Sequence, residues 1–281
     1  MSIFFDHFPA CGYICAHRGE RSTAPENTLL ALEKARLSGA DLWEFDVQCA
    51  ALGEPVVFHD DSPKRTTDVA DHPELQARKS APLTAFQLSE LRTLDAGSWF
   101  IRDDPFGTIA SEEVPASELS MIRAQKIPLL QEVLALAARY RFPFNLEIKD
   151  LTGTPADGTV VAQVLAHLQQ SGTEQLALVS SFRHAYLRQV KQINPGIATA
   201  ALVEKKHPPQ LLDYLRELQV EAYHPDQNIA DAELIRNLAD AGIRVNLWTV
   251  NDVERARGFV EAGVTFIYTD WPQKMAAALA P

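Results

Sequence analysis

The sequence predicts a closed barrel of eight parallel strands with surrounding helices, a (β/α)8 barrel, on three observations. After residue 127, short apolar segments of strand length alternate strictly with segments of helical periodicity. Two more apolar segments, over 13–16 and 42–47, bring the number of strands to eight. The length of 281 residues suits one such barrel. A doubly wound open sheet is the alternative, but the glycine-rich nucleotide fingerprint that it often carries is absent.

The N-terminal part of the chain begins the barrel. A strand over 13–16 ends at His17, and a helix of regular apolar spacing follows. Asn27 is expected to be the N-cap of that helix because its short side chain can accept a hydrogen bond from the first turn. The second strand, over 42–47, and a short extended segment over 56–59 come next.

The region over 61–125 interrupts this rhythm. It is rich in proline and charge, and it contains only one clear helix, predicted over 85–94. A loop-rich segment of this length inside a compact chain is usually functional or an inserted subdomain. We therefore predict a single domain over 1–281, in which 61–125 is a lid inserted between the second strand region and the following barrel helix.

The remaining elements follow in strict alternation. Helices are predicted over 129–140, 159–170, 185–193, 210–218, 232–241, 253–262 and 273–279. Strands are predicted over 144–149, 176–180, 197–203, 221–224, 243–250 and 264–269. The junctions between helices and strands are marked by Gly172, Gly196, Gly242 and Gly263.

Composition excludes several classes of partner. The net charge of −11, from 26 Lys and Arg against 37 Asp and Glu, argues against a nucleic-acid or anionic membrane partner. No apolar run is long enough for stable membrane insertion, and no signal peptide is visible. Cys15 and Cys49 have the pattern of buried thiols, which favours a reduced, cytoplasmic setting. The oligomeric state stays open.

Carboxylates at the ends of predicted strands indicate a metal site. Because strand side chains alternate, Glu44 and Asp46 point the same way, and two adjacent carboxylates repel unless a proton or cation lies between them. Glu147 occupies the corresponding place on a later strand and shares a face with Lys149. Oxygen ligands of this kind suit a hard divalent cation, whereas zinc would need more His or Cys close together.

Basic side chains lie beside these acids. His17 and His59 each end an apolar run, which favours general acid and base roles over the usual buried structural histidine. Arg18 and Lys149 are predicted to contact phosphate, although they could also only neutralise the acids. All of these residues fall at carboxyl ends of strands, where barrel active sites lie. His224, at another strand end, is a further candidate for the pocket lining.

At these residues the chain resembles a known family, the glycerophosphodiester phosphodiesterases of the bacterial cytosolic type. The resemblance covers roughly residues 13–273. In order, the shared motifs are H-R-G at 17–19, P-E-N-T at 25–28, E-x-D at 44–46, H-D at 59–60, E-I-K at 147–149, V-S-S-F around Ser181, L-W-T-V-N around Trp248 and T-D-W-P at 269–272.

The resemblance implies a reaction and a set of roles. It implies hydrolysis of a glycerophosphodiester to sn-glycerol 3-phosphate and an alcohol, with Mg²⁺ or Ca²⁺ held by the three carboxylates. It places Trp248 at the barrel mouth on the glycerol side of the substrate, with Ser181 in a similar place. We predict His17 as the acid and His59 as the base, while water and a glycerol hydroxyl stay open as the nucleophile. Pro63 departs from the family pattern, which leaves the preferred alcohol open.

Two alternatives are kept. One is a lysophospholipase D or phosphoinositide-type lipase on a similar barrel, which an apolar, membrane-seeking loop would favour. Trp99, Phe100, Ile101 and Phe106 are the candidates for such a loop. The other alternative is a non-catalytic barrel that binds anionic metabolites, and it predicts that at least one histidine or carboxylate of the site is missing, which is not the case.

Overall fold

Nine strands form one sheet in the computed structural model, which describes residues 3–280. They are β1 (Tyr13–Ala16), β2 (Leu42–Cys49), β3 (Pro55–Val57), β4 (Phe144–Ile148), β5 (Ala177–Ser181), β6 (Ala198–Val203), β7 (Ala222–Pro225), β8 (Arg244–Leu247) and β9 (Phe266–Thr269). Because β1 pairs in parallel with both β2 and β9, eight strands close into a barrel. The predicted (β/α)8 barrel is confirmed. β3 is an addition that pairs antiparallel with the end of β2.

The helices described over residues 3–280 lie outside the barrel, and those between residues 88 and 123 belong to the segment 61–125. They are α1 (Leu29–Leu37), α2 (Leu88–Leu91), α3 (Ser98–Asp103), α4 (Leu119–Arg123), α5 (Leu130–Tyr140), α6 (Val160–Ser171), α7 (His184–Ile193), α8 (Leu211–Leu218), α9 (Ala232–Asp240), α10 (Val253–Ala262) and α11 (Pro272–Leu279). Their apolar stripes face the strands: α5 buries Leu130, Val133, Leu134 and Ala137, at helical spacing. None of the helices described over 3–280 is long and apolar enough to cross a bilayer.

The start of α1 differs from the prediction by one residue. Thr28, and not Asn27, is the N-cap, since its Oγ1 accepts a hydrogen bond from the amide of Ala31 at 3.2 Å. Asn27 has a φ of 56°, in the left-handed region that asparagine tolerates well. Its side chain points instead to Asp46, donating to Oδ2 at 2.8 Å and accepting from the amide at 3.1 Å.

Aromatic side chains close the amino-terminal end of the barrel. The turn Phe4–His7 brings Phe5 onto Phe266 with ring centroids 5.8 Å apart, and Phe8 meets the same ring edge-to-face at 4.7 Å. Around them lie inward-facing residues from the first positions of several strands, namely Leu42, Leu178, Ala198 and Ala222. The amino-terminal end is therefore packed with apolar side chains, while the carboxyl end carries the polar groups.

The segment over 61–125 folds as a helical insertion with its own buried clusters. The single helix predicted over 85–94 is wrong: α2 has four residues, and α3 and α4 were not predicted. The helix starts late because Gln87 has an extended backbone and its amide donates to Oε2 of Glu90 at 2.8 Å, which caps α2. One apolar cluster joins the insertion to β3, and a second consists of Trp99, Phe100, Val114 and Ile122. A lid function stays a prediction.

Candidate active site

The carboxyl ends of the barrel strands converge on one narrow pocket. Its lining consists of His17, Arg18, Glu44, His59, Asn145, Glu147, Lys149, Ser180, Phe182, Leu202, His224, Trp248 and Tyr268. All predicted site residues belong to this lining except Asp46 and Ser181. Asp46 lies directly beside it, since it pairs in register with Glu147 across β2 and β4.

Three carboxylates form a buried acidic cluster at the base of this pocket. Glu44, Asp46 and Glu147 each offer an oxygen within 4.8 Å of the others. Burial raises the pKa of Glu44, and the charges of Asp46 and Glu147 raise it further. Burial also raises the pKa of Glu147. Asp46 differs because the positive charges of Lys149 and Arg18 and the hydrogen bond from Asn27 help to outweigh its burial and lower its pKa.

This donor set fits a divalent cation. Glu44 Oε2 accepts from the amide of Arg18 at 2.8 Å and Asp46 Oδ2 accepts from Asn27, which orients both carboxylates. Burial is the main cause of the raised pKa values of Glu44 and Glu147, and repulsion by the charge of Asp46 adds to it. A bound cation would relieve that repulsion. An all-oxygen set suits hard cations. The cluster could therefore bind a divalent metal ion.

Two permanent cations lie at the edge of the cluster. Lys149 Nζ is 2.7 Å from Glu147 Oε1 and 3.3 Å from Asp46 Oδ1. Arg18 Nη1 is 2.8 Å from Glu26 Oε1, and its Nε is 3.6 Å from Asp46 Oδ2. Burial opposes their charge, but the surrounding carboxylates raise the pKa of both, so both stay protonated. They therefore supply positive charge inside an acidic protein.

His17 is held by a carboxylate from the other end of the chain. Its Nδ1 lies 2.8 Å from Asp270 Oδ1. Because a carboxylate held ionised can only accept, Nδ1 carries the proton and Nε2 keeps a lone pair. Burial, followed by the charge of Arg18, lowers the pKa of His17 to about 4 despite Asp270. At neutral pH the ring is therefore neutral and able to accept a proton.

His59 repeats this arrangement with its neighbour in sequence. Its Nδ1 lies 2.7 Å from Asp60 Oδ1. Asp60 is partly buried, yet its hydrogen bonds with His59 and Arg65 lower its pKa. The pocket thus contains two histidines, each with a carboxylate on Nδ1 and each with Nε2 available. A second set of possible metal ligands, Glu26, His59 and Asp60, is already neutralised by Arg65, which bonds to both carboxylates.

Comparison with known proteins identifies this arrangement. The model of the Glycerophosphoryl diester phosphodiesterase family matches residues 17–274. The chain belongs to the glycerophosphoryl diester phosphodiesterase family. The predicted family and enzyme class are confirmed.

Individual members of the phosphodiesterase family match the chain over nearly its whole length. A glycerophosphodiester phosphodiesterase of Caldanaerobacter subterraneus is 30% identical over 269 residues, 93% of this chain and 95% of the relative. One from Bacillus altitudinis is 31% identical over the same length and coverage. The solved structure of an Oleispira antarctica phosphodiesterase in complex with the product sn-glycerol-3-phosphate has a TM-score of 0.82 at 29% identity, covering 99% of both chains.

One wall of the phosphodiesterase pocket is apolar. The ring of Phe182 meets Trp248 edge-to-face, with centroids 5.5 Å apart, and Leu202 lies beside them. Trp248 Nε1 donates to the carbonyl of His224 at 2.8 Å, which fixes the indole. The pocket therefore has a charged side and an apolar side.

The structure does not bring Ser181 into the pocket. Its Oγ donates to the carbonyl of Ile148 at 2.7 Å and accepts from the amide of Arg183 at 3.1 Å, so the hydroxyl is engaged. Side chains alternate along β5, and it is Ser180 and Phe182 that face inward. The predicted position is thus displaced by one residue.

Sequence reasoning missed two groups of the phosphodiesterase site. Asp270 was noticed only as part of T-D-W-P, although its position directly after the last strand is a signal for a site residue. No sequence pattern pointed to Asn145 and Tyr268, two buried residues that form the floor of the pocket. His224 joins this floor, where its Nε2 accepts from Asn246 Nδ2 at 2.6 Å and burial lowers its pKa to about 3.

Proposed function

We propose that the protein hydrolyses glycerophosphodiesters to sn-glycerol 3-phosphate and an alcohol, with Mg²⁺ or Ca²⁺ held by Glu44, Asp46 and Glu147. The observation that carries the proposal is the convergence of two carboxylate-held histidines, two cations and the acidic cluster in one pocket. The product complex of the Oleispira relative supports the substrate class.

The side chains divide the chemical work between charge and protons. A divalent cation at the cluster supplies Lewis-acid polarisation of substrate oxygens when bound. Arg18 and Lys149 contact the phosphoryl oxygens and offset the charge that develops on them. One histidine Nε2 takes the proton of the attacking hydroxyl as the new P–O bond forms. The other, which must enter the step protonated on Nε2 as well as on Nδ1, gives the Nε2 proton to the leaving alkoxide as the old P–O bond breaks.

The assignment of the two histidines changes in the light of the pocket. The sequence-based prediction made His17 the acid and His59 the base. The lowered pKa of His17 favours the opposite assignment, because a base must be unprotonated when the substrate arrives. Either assignment uses the same pair of Nδ1–H···carboxylate hydrogen bonds, with Asp270 and Asp60.

The lipase alternative loses the feature that would favour it. Trp99 and Phe100 are only 6% and 0% exposed and form the core of the insertion. Phe106 packs on Trp271 with ring centroids 5.4 Å apart. These aromatic residues are therefore packing groups, and a membrane-seeking loop is not built from them.

A metal-dependence assay tests the proposal. The purified protein is assayed against a panel of glycerophosphodiesters before and after chelation with EDTA, and Mg²⁺ and Ca²⁺ are then added back separately. We expect activity to be lost on chelation and restored by one or both ions. Glu44→Gln should lose both activity and metal binding by calorimetry, whereas Glu221→Gln, at a partly buried pair with Lys191 outside the pocket, should keep both. Full activity after exhaustive chelation would refute the metal assignment.

A cytoplasmic setting remains part of the proposal. Cys11, Cys15 and Cys49 are all free thiols, and the last two are buried. Free thiols persist where the environment is reducing. No nucleic-acid partner is proposed, since the net charge is −11.

A further inference from the structure

A continuous chain of side-chain hydrogen bonds connects the two histidines of the pocket. From His17 it runs through Asp270, Arg21, Glu26, Arg65 and Asp60 to His59. On one side, Asp270 Oδ1 lies 2.8 Å from His17 Nδ1 and 3.2 Å from Arg21 Nη1. On the other side, Asp60 Oδ1 lies 2.7 Å from His59 Nδ1 and 2.7 Å from Arg65 Nη2. The two arms meet at a single carboxylate.

That carboxylate is Glu26, whose side chain is only 2% exposed. Its Oε2 accepts from Arg21 Nη2 at 2.6 Å and from Arg65 Nη1 at 3.1 Å. Its Oε1 accepts from Arg18 Nη1 at 2.8 Å and from Arg65 Nη2 at 2.6 Å. Burial opposes ionisation, but the three guanidinium groups hold the pKa of Glu26 well below its usual value.

Glu26 is not part of the pocket lining, so it has no direct route to a bound substrate. Its route to the chemistry runs through the aspartates that hold the histidine rings. A carboxylate on Nδ1 fixes both the tautomer and the orientation of an imidazole. Loss of the Glu26 charge would leave three arginines short of one carboxylate, and the side chains of Arg18 and Arg21 are largely buried. Arg21 and Arg65 would then compete for Asp270 and Asp60.

We propose that Glu26 is a positioning residue that orients both histidines at once, through Arg21 and Asp270 on one arm and through Arg65 and Asp60 on the other. The effect on histidine orientation stands on the contacts alone. The effect on turnover rests on the proposed function. In this arrangement one carboxylate fixes the ring orientation of both the acid and the base, so a substitution at Glu26 affects both histidines.

The insertion enters this arrangement through Arg65. Arg65 belongs to the segment 61–125, and its guanidinium also lies over the ring of Trp99, 5.9 Å from the centroid. Arg65 holds Asp60 through two hydrogen bonds, from Nε at 2.6 Å and from Nη2 at 2.7 Å. The insertion therefore contacts, through Arg65, the carboxylate that holds His59.

Two variants test the proposal kinetically. Glu26→Gln keeps the shape and removes the charge, and Arg65→Lys keeps the charge and removes the paired N–H donors. We expect kcat to fall about 10- to 100-fold with KM little changed, because ring misplacement lowers the rate of proton transfer more than it weakens binding. The matched controls are Glu132→Gln and Arg92→Lys, at a bidentate pair of 2.7 and 2.9 Å outside the pocket lining. They should keep kcat.

A substrate-free measurement separates this proposal from the proposed function. In ¹⁵N-histidine-labelled protein, NMR reports which ring nitrogen carries the proton. We expect His17 and His59 to be Nδ1-protonated in the wild type and to shift towards mixed tautomers in Glu26→Gln. His184 and His207, which are held by tyrosine hydroxyls, should not change. Unchanged tautomers of His17 and His59 would overturn the proposal, even if activity fell.

A double-mutant cycle provides the second decision. If Glu26 acts through Asp60, the loss of kcat caused by Asp60→Asn should be several-fold smaller in the Glu26→Gln background than in the wild type. Independent, multiplicative losses would overturn the proposal. Should Glu26→Gln fail to fold, the same cycle is run with Arg65→Lys, because the Arg65 side chain is 43% exposed and tolerates change better. A wild-type protein inactive on every phosphodiester, but with the tautomer shift in Glu26→Gln, would reject the proposed function and support the positioning role.

Discussion

At the scale of single residues, burial of histidine links the stability of the protein to pH. Burial lowers the pKa of His224 from 6.5 to about 3. Between these values the unfolded chain binds a proton that the folded chain does not, so the free energy of unfolding falls as the pH is lowered. One such group contributes a slope of up to about 1.4 kcal/mol per pH unit.

The first prediction follows from that slope. In His224→Gln, the free energy of unfolding should depend less steeply on pH between about 6.5 and about 5 than in the wild type. The wild-type contribution of His17, whose pKa is about 4, has the same sign and remains in the variant. Urea denaturation at several pH values measures both slopes. Equal slopes in the two proteins would mean that folding does not lower the pKa of His224.

The second prediction separates the roles of His17 and His59. An alkoxide needs a proton as it leaves, whereas a nitrophenolate leaves without one. The histidine that acts as acid should therefore be dispensable for a nitrophenyl phosphodiester and needed for a natural substrate, with a contrast of about 10²–10⁴-fold. From the pKa of His17 we expect His59→Ala to show this contrast and His17→Ala to lose activity on both substrates. Equal losses for both variants on both substrates would instead indicate that the histidines only bind phosphate.

Site residues could be predicted from the sequence where a local pattern, such as strand alternation, determines their position. Glu44 and Asp46 were found because strand alternation fixes their common face. The partner of His17 could not be assigned, because Asp270 is 253 residues away along the chain and meets it only when β1 pairs with β9. Ser181 was displaced because a one-residue error in strand phase exchanges the two faces.

At the scale of elements, the apolar periodicity of the sequence predicted the helices that pack an apolar face against the barrel. The barrel helices have apolar stripes long enough to show a period, so α10 was predicted at its observed bounds, Val253–Ala262. The short helices α2, α3 and α4 of the insertion were missed or misplaced. Segments of four to six residues have too few turns to show a period, and they are held by caps and by burial of Trp99 and Phe100.

The third prediction concerns the insertion. Replacing residues 70–82 by a short Gly-Ser linker should change which leaving alcohols are accepted while the barrel still folds, if the segment is a lid. We also expect this replacement to lower the stability of the protein, because Leu75 is buried in the cluster that reaches Val56 and Phe58. Leu75→Ala alone should therefore lower the free energy of unfolding by about 2–4 kcal/mol.

The control for this experiment is Leu52→Ala, since Leu52 is 76% exposed and should contribute within about 0.5 kcal/mol. Stability comes from urea denaturation, and alcohol preference from kcat/KM ratios across the substrate panel. An unfolded linker variant would show that 70–82 belongs to the core. A folded variant with unchanged kcat/KM ratios would show that the segment does not select the alcohol.

At the scale of the whole molecule, the two ends of the barrel have different tasks. The amino-terminal end is filled by Phe5, Phe8 and Phe266, and the carboxyl end contains the charged pocket. Residues at the first end are expected to matter for stability and residues at the second for chemistry.

The fourth prediction tests this division. Phe8→Ala should lower the free energy of unfolding by about 3–5 kcal/mol, because a large buried ring is lost from the barrel interior. It should leave kcat on a glycerophosphodiester unchanged at temperatures where the variant is folded. For Lys149→Ala, at the carboxyl end, we expect the reverse: a large loss of kcat and only a small loss of the free energy of unfolding. A large loss of kcat in folded Phe8→Ala would show that the two ends are coupled.

The position of Lys149 between Glu147 and Asp46 has a consequence for how the pocket would load its metal. The ammonium group is a built-in counter-ion, at 2.7 and 3.3 Å from the two carboxylates, so it offsets part of the repulsion within the acidic cluster. Glu44, Asp46 and Glu147 would hold a divalent ion, and its charge would take over the neutralising role of Lys149, whose ammonium group could then contact an anionic substrate. Metal binding and the freeing of Lys149 to contact phosphate would then occur together.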